Sequence, residues 1–253
     1  MRFPVFAARL ALAALLLAAL IAALAVGSVR LGLASFPIGL EAMTASVALA
    51  LIALVLALVW TVSALKHNRG EGKRAGMTAL IGALLLLYVP LHTVYEGLMA
   101  PPIHDVTTDP DDPPRFVMLA KRPAGDNSTA FDAKAQIHYR GETNTVTYML
   151  RTYYPLLTKP LALIMPTGKM FWRCFNAANR MGWHIVDYSE KEGRIEATAT
   201  SFWFGQVSDI VIRVRPAGTL GARFDMRAES ETGARDFGRN IGLMKAYRAA
   251  LAS

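Results

Sequence analysis

The residues whose types could do chemistry lie near the C-terminal end of the chain. Asp209 and Asp236 are carboxylates of the kind used for general acid/base work, and Arg213 and Arg227 are cations able to hold an anionic group. Asn240 completes the set at the end of "SETGARDFGRN" (Ser230–Asn240), where Gly233 and Gly238 permit tight backbone approach. A second reading of the same residues is architectural. Asp236 would cap the last helix, Asn240 would tie the turn to a sheet, and Arg213 and Arg227 would pair across strands with Asp209 or Asp225. Further upstream, Tyr88, His92, Tyr95 and Glu96 fall at i, i+4, i+7 and i+8, forming one polar stripe on an otherwise apolar helix.

Motifs with fixed catalytic spacing are missing from the chain. It has no G-x-S-x-G, no H-E-x-x-H, no P-loop and no Cys/His metal pattern, and "GARDFGRN" is not a dinucleotide fingerprint. No catalytic residue, metal or cofactor is therefore assigned. Asp105, Asp109, Asp111 and Asp112 are dense enough to suggest calcium, but they lack the glycine and terminal glutamate of an EF-hand loop; Asx-turns and capping suit them better. The lone cysteine, Cys174, permits no internal disulfide and reads as a small buried hydrophobe beside Phe171, Trp172 and Phe175.

These residues must be positioned by a chain of two unlike parts. Overall 53% of the 253 residues are hydrophobic and 18% charged, with net charge +8. Residues 1–100 carry only seven basic and three acidic side chains; residues 101–253 carry the other 20 and 16. A membrane anchor joined to an ordinary globular domain explains the split. Basic and acidic residues alternate in the second part without a polybasic run, which excludes nucleic acid as the expected partner.

Three apolar stretches, at about 10–29, 42–65 and 75–99, are each long enough to cross roughly 30 Å of hydrocarbon as a helix. The loop "KHNRGEGKR" (66–74) has four basic residues and one acidic, so the positive-inside rule puts it in the cytoplasm together with the N-terminus. Residues 100–253 are then expected on the extracytoplasmic, periplasmic side of the plasma (inner) membrane. The first stretch also resembles a signal peptide, with "ALA" at 23–25 as a cleavage site, and the domain's placement is the same either way.

Residues 100–116, "APPIHDVTTDPDDPPRF", hold five prolines and four aspartates and read as an extended, turn-rich connection. "TAFDAKAQIHY" suggests a short helix, and "NTVTYMLRTYYP" a strand or a helix start. "LALIM" (161–165) reads as a strand, followed by a helix with Thr167 as N-cap and Gly182 past its end. Four strands follow in "HIVDYSE", "GRIEATATSF", "SDIVIRVRP" and "ARFDMRAES". Their period-two patterns, with Ile195, Ala197 and Ala199 and then Ile210, Ile212 and Val214 on one side, predict a half-buried antiparallel sheet. A final helix over 237–251 would cover it with Phe237, Ile241, Met244 and Leu251. The predicted class is α+β: three transmembrane helices, then a two-layer domain with an antiparallel β-sheet packed against helices.

The region from 101 to 253 resembles the bacterial and plastid proteins grouped as domain of unknown function family 1499. "MGWHIVDYSEKEGRIEATATSFWFGQVSDIVIRVRP" and "FDMRAESETGARDFGRN" carry the resemblance most strongly. The family pattern has an acidic pair before an "IRV" strand, an arginine strand, a Ser-Arg step and S-D-x-G-x-N entering the last helix. Asp209, Arg213, Arg227, Ser230, Gly233, Asp236, Gly238 and Asn240 stand at matching positions. Ser208 replaces the first acid, Glu231 replaces the arginine after the serine, and the last helix lacks its usual arginine near Leu243. The resemblance implies an architecture and no activity.

Two functions are compatible with these features. One is a non-enzymatic binding or accessory module of the cell envelope, held in the lipid bilayer and contacting an anionic lipid, a glycan or an envelope protein through its arginines. The other is a membrane-bound hydrolase or transferase using Asp209 and Asp236. The second requires Asp209, Arg213 and Asp236 to line one concavity with a carboxylate unpaired.

Overall fold

A computed structural model describes residues 3–67, 72–122 and 127–252, which form two compact units. Residues 68–71, the centre of the basic loop, lie outside the described residues. The first unit is three helices, α1 (Phe3–Arg30), α2 (Phe36–His67) and α3 (Lys73–Met99), each long and apolar enough to cross a membrane. They pack in layers built on alanine: Ala11, Ala57 and Ala79 form one, and Ala53 and Ala83 with Leu15 the next. Alanine lets helix backbones approach closely where lipid supplies no hydrophobic drive for association. Gly76 makes room for an aromatic ring, since a Cβ there would sit 2.2 Å from Trp60. Ser46 Oγ donates to Ala18 O across the bundle at 2.8 Å. The tip residues Phe202–Gly205 of a distant β-connection group with this unit.

The second unit is the α+β domain. Its strands are β1 (Asp105–Thr107), β2 (Gln136–Tyr139), β3 (Glu142–Thr145), β4 (Leu161–Leu163), β5 (His184–Ser189), β6 (Arg194–Thr200), β7 (Val207–Ala217) and β8 (Gly221–Ser230). Its helices are α4 (Val146–Tyr153), α5 (Thr167–Arg180) and α6 (Arg239–Ala252). The main sheet is antiparallel in the order β1-β8-β7-β6-β5, with β4 sharing the β8 edge taken by β1. The period-two apolar positions all enter the core: Ile195, Ala197, Ile210, Ile212, Phe224 and Met226 lie with Phe171, Cys174, Ile241 and Met244 from α5 and α6. Burial pushes the Cys174 thiol up to about 12, which keeps it inert.

Local expectations are corrected in several places. The stretch 129–139 is not a helix; it leads into a β2–β3 hairpin. Arg140 and Gly141 both have positive φ (52° and 83°), the geometry of a type I′ turn, and this overrides the helix propensity of the alanines. "NTVTYMLRTYYP" resolves into α4, with Thr145 as its N-cap accepting from Tyr148 N. Thr167 is the first residue of α5 rather than its cap; Pro166, extended at ψ 144°, holds the cap position without a side-chain bond. Phe237 does not belong to α6: it has φ 53°, is 41% exposed, and Tyr247 fills the core instead. Tyr247 stacks on Trp183 at 5.0 Å and donates to Cys174 O.

The segment 100–116 is more than a connection. It supplies β1, and the chain beyond β1, to Arg122, forms a strap over the sheet face opposite the helices. That face, expected in solvent, is buried: Glu196, Asp209, Val211, Asp225, Arg227 and Glu229 are all inaccessible.

Candidate functional site

Because strand side chains alternate, the residues between the core positions of β6, β7 and β8 all point toward the strap. Glu196 holds the strap's backbone directly. Its carboxylate accepts from Val117 N (2.7 Å), Met118 N (3.0 Å) and Leu119 N (2.7 Å), amides at the start of a 3-10 turn that have no partner within the turn, and from Arg194 at 2.6 Å. Phe116 and Leu119 close over Val211 beside it. At the other end of the face, Arg213 and Arg215 share Asp225 Oδ2, each at 2.9 Å. They also reach the strap through Asp112 O (2.6 Å from Arg213) and Asp112 Oδ2 (2.6 Å from Arg215). Asp109 accepts from Asp112 N, three residues on, at 3.2 Å, a capping-type bond, and Arg151 pairs with Asp111.

Beyond the Glu196 level, at the end of the face away from the Asp225 clamp, runs a row of three carboxylates. Asp105 on β1 is directly opposite Glu229 on β8, which is directly opposite Asp209 on β7. Like charges facing across strands repel, so the row needs counterions. Arg227 makes a two-pronged pair with Asp105 (2.8 and 2.6 Å), with its guanidinium over the rings of Phe116 and Phe131. Arg122, from the end of the strap, reaches Asp209 at 2.5 Å. Glu229 is left between them, 3.5 Å from Arg122 and 3.8 Å from Arg227, and neither of its oxygens has a hydrogen-bond donor in reach among the described residues. Burial, reinforced by the Asp105 charge, pushes Glu229 up to about 8. Burial also pushes Asp209 up to about 6, with Arg122 opposing and Glu231 adding to the shift. Burial raises Asp105 as well, so near neutral pH the row as a whole favours holding a proton, which matches three acids to two arginines.

The residues nominated from sequence fall into separate arrangements. Asp209 and Arg227 lie in the carboxylate row, and Arg227 pairs with Asp105, not with Asp209 or Asp225 as a cross-strand reading would have it. Arg213 lies in the Asp225 clamp. Asp236 and Asn240 build the turn into α6. Asp236 accepts from Gly238 N and Asn240 N, both at 2.8 Å, and burial raises its pKa against these bonds. Asn240 accepts from Ser208 Oγ (2.7 Å) and donates to His104 O (2.8 Å) and Ser230 Oγ (3.1 Å), joining β7, β8 and the chain before β1. Ser208, at the position of a family acid, also accepts from Arg239 at 2.6 Å. In the polar stripe of α3, the rings of Tyr88 and His92 meet at 5.8 Å, while Tyr88 and Tyr95 stay outward with His92 and Glu96.

Sequence reading passed over Arg122, Glu196 and Glu229. A signal for the last was present: Asp225, Arg227 and Glu229 alternate sign at i, i+2 and i+4 on one face of β8, a pattern that can neutralise itself when buried.

Fold and site together define a class: an α+β domain whose sheet is closed on one face by helices and on the other by an ion-paired strap, carried behind three apolar helices. The chain belongs to the family described as protein of unknown function (DUF1499), whose model matches residues 105–251. No curated protein matches the chain.

Proposed function

We propose that this protein is a membrane-anchored, non-enzymatic binding or accessory module of the cell envelope, with its N-terminus and the 66–74 loop cytoplasmic and residues 100–253 periplasmic. The observation that carries this reading is the use made of the charged groups. Asp209, Arg213 and Arg227 are spent on fastening the strap, and Asp236 on two backbone amides of its own turn. A hydrolase or transferase using Asp209 and Asp236 requires an unpaired carboxylate facing a concavity, whereas Asp209 is ion-paired beneath the strap and Asp236 caps a turn.

Binding then falls to other surfaces. Trp172, Phe175 and Tyr188 form an aromatic cluster on α5 and β5, with centroids 4.9–6.1 Å apart, and Trp172 and Tyr188 are outward-facing. Aromatic side chains of this kind anchor protein interfaces. Among an anionic lipid, a glycan and an envelope protein, the cluster favours the protein. A photoreactive residue at Tyr188 is expected to give a discrete protein adduct in native membranes, and one at Thr219, in the β7–β8 turn, none. Lipid adducts alone, or equal labelling from both positions, would overturn the reading. A reporter fused after Ser253 is expected to be active only when exported, and cytoplasmic activity would reverse the topology.

A further inference from the structure

The connection between β6 and β7 is closed by Ser201 and Gln206, and its tip reads Phe202-Trp203-Phe204-Gly205, a composition wrong for a turn in water. Turn tips favour Gly, Asn, Asp, Ser and Pro, whose side chains suit solvent and tight backbone geometry. Here Gly205 alone fits, with φ +66°. Phe202 is 78% exposed and Trp203 is 46% exposed, with their rings edge to face at 5.1 Å. Packing against protein does not account for rings left this open.

The neighbours of this tip identify its surroundings. Phe204 lies edge-on to Phe36 at 5.5 Å, and the Arg30 guanidinium donates to Phe202 O. Arg30 ends α1 and Phe36 begins α2, so the tip groups with the short connection where two apolar spans turn around. The same connection exposes Leu31, Leu33 and Ile38. An arginine ringed by aromatic and aliphatic side chains at the end of a span is the composition of the zone between headgroups and acyl chains. Aromatic rings concentrate there, and arginine lays its stem on apolar surface with its charge toward water.

We propose that the 202–204 tip is an interfacial membrane anchor, inserting Phe202 and Trp203 at the headgroup–acyl boundary of the leaflet that holds the α1–α2 connection. This rests on the reading that the three helices span the bilayer. The tip adds a fourth point of lipid contact, supplied by the sheet domain's own chain, and it selects for the bilayer as its partner through ring chemistry rather than charge.

The test uses the full chain in liposomes of phosphatidylethanolamine and phosphatidylglycerol, with a nitroxide attached through Phe202→Cys. Cys174 is fully buried, so the unsubstituted chain provides the labelling blank. Two comparators are Leu24→Cys, on the outward side of α1 (61% exposed), and Leu220→Cys, an apolar tip of the β7–β8 turn (76% exposed). The label at 202 is expected to meet oxygen several-fold more readily than a water-soluble nickel complex, at a shallower depth than the label at 24. The label at 220 should behave as water-exposed. If 202 resembles 220 while 24 is lipid-immersed, the anchor is overturned and the spanning reading stands. If 24 is itself water-exposed, the spanning reading fails and the anchor with it. Spin–spin broadening at 202 that vanishes on dilution with unlabelled protein would mean that the tip docks on a second copy, which also overturns the proposal.

Discussion

On one face of the sheet, Ile195, Ile210, Ile212, Phe224 and Met226 meet α5 and α6 through contacts that other apolar side chains of similar volume could make. On the opposite face, Glu196, Asp209, Asp225, Arg227 and Glu229 are equally inaccessible, yet each depends on a particular partner in the strap or on a neighbouring strand. The apolar face is held by an interaction without direction, proportional to area. The charged face is held by geometry, because desolvated charges are tolerated only when paired and hydrogen-bonded. The same strands can therefore be buried twice, but only the second burial specifies which segment does the covering, and only the second responds to pH.

The largest expected effect comes from removing a charge at the centre of the ionic face. Arg227→Ala leaves Asp105 buried without its counterion and Glu229 with Arg122 alone, and is expected to cost about 3–5 kcal/mol. Phe224→Ala on the other face is expected to cost a similar amount, about 3–5 kcal/mol, by cavity formation. Urea unfolding of the detergent-solubilised protein at several pH values separates them. The penalty for Arg227→Ala should grow as the pH rises and Glu229 loses its proton, while that for Phe224→Ala should not change. Equal pH dependence would erase the distinction between the faces.

Glu229→Gln sharpens the same comparison. Glu229 has an ordinary value of 4.5 and is raised to about 8 in the fold, so between those limits the folded chain holds a proton that the unfolded chain has released. Stability contributed by that proton is complete below about pH 4.5, declines as the pH rises, and is gone above about 8. Asp209 adds a slope of the same sign between 3.8 and about 6. Glutamine keeps the shape without the charge. The variant is expected to flatten the decline between pH 6 and 8 and to gain about 1–3 kcal/mol above it. An unchanged slope would place the titration elsewhere.

The smallest effect belongs to the turn before α6. Asp236→Ala is expected to cost about 1–2 kcal/mol through the loss of two amide partners, with Asp236→Asn recovering part of it. Loss of function in cells with stability unchanged would instead return Asp236 to the list of site residues.

How much of this was legible in the chain follows from the range of the forces involved. Apolar alternation in "RIEATATS" and "DIVIRVR" records a local rule, so β6, β7 and the direction of the core could be read directly. The Asp236 cap and the glycines beside it are local too. Thr167 reads as a cap and Phe237 as a helical residue, each off by a residue or two, because Pro166 and the positive φ of Phe237 decide where each helix starts. The charged face was not legible. Arg213 and Arg227 look like a solvated face until Asp112 and Asp105 are brought over them from more than a hundred residues away. Segment 100–116 looks like a linker for the same reason, since its prolines and aspartates report its local conformation and not its partners.

The closure of the strap also sets a timetable. Asp105 waits for Arg227, 122 positions later, and His104 waits for Asn240, 136 positions later. At about 5–20 residues per second, the strap leaves the ribosome roughly 7–27 s before its last partner exists. The segment between Ala100 and Phe116 holds five prolines and four aspartates, and prolines and charges disfavour pairing of an edge strand with a wrong partner. The composition that made this stretch look like a spacer is also what lets a nascent chain hold its first strand in reserve until its last strand is made.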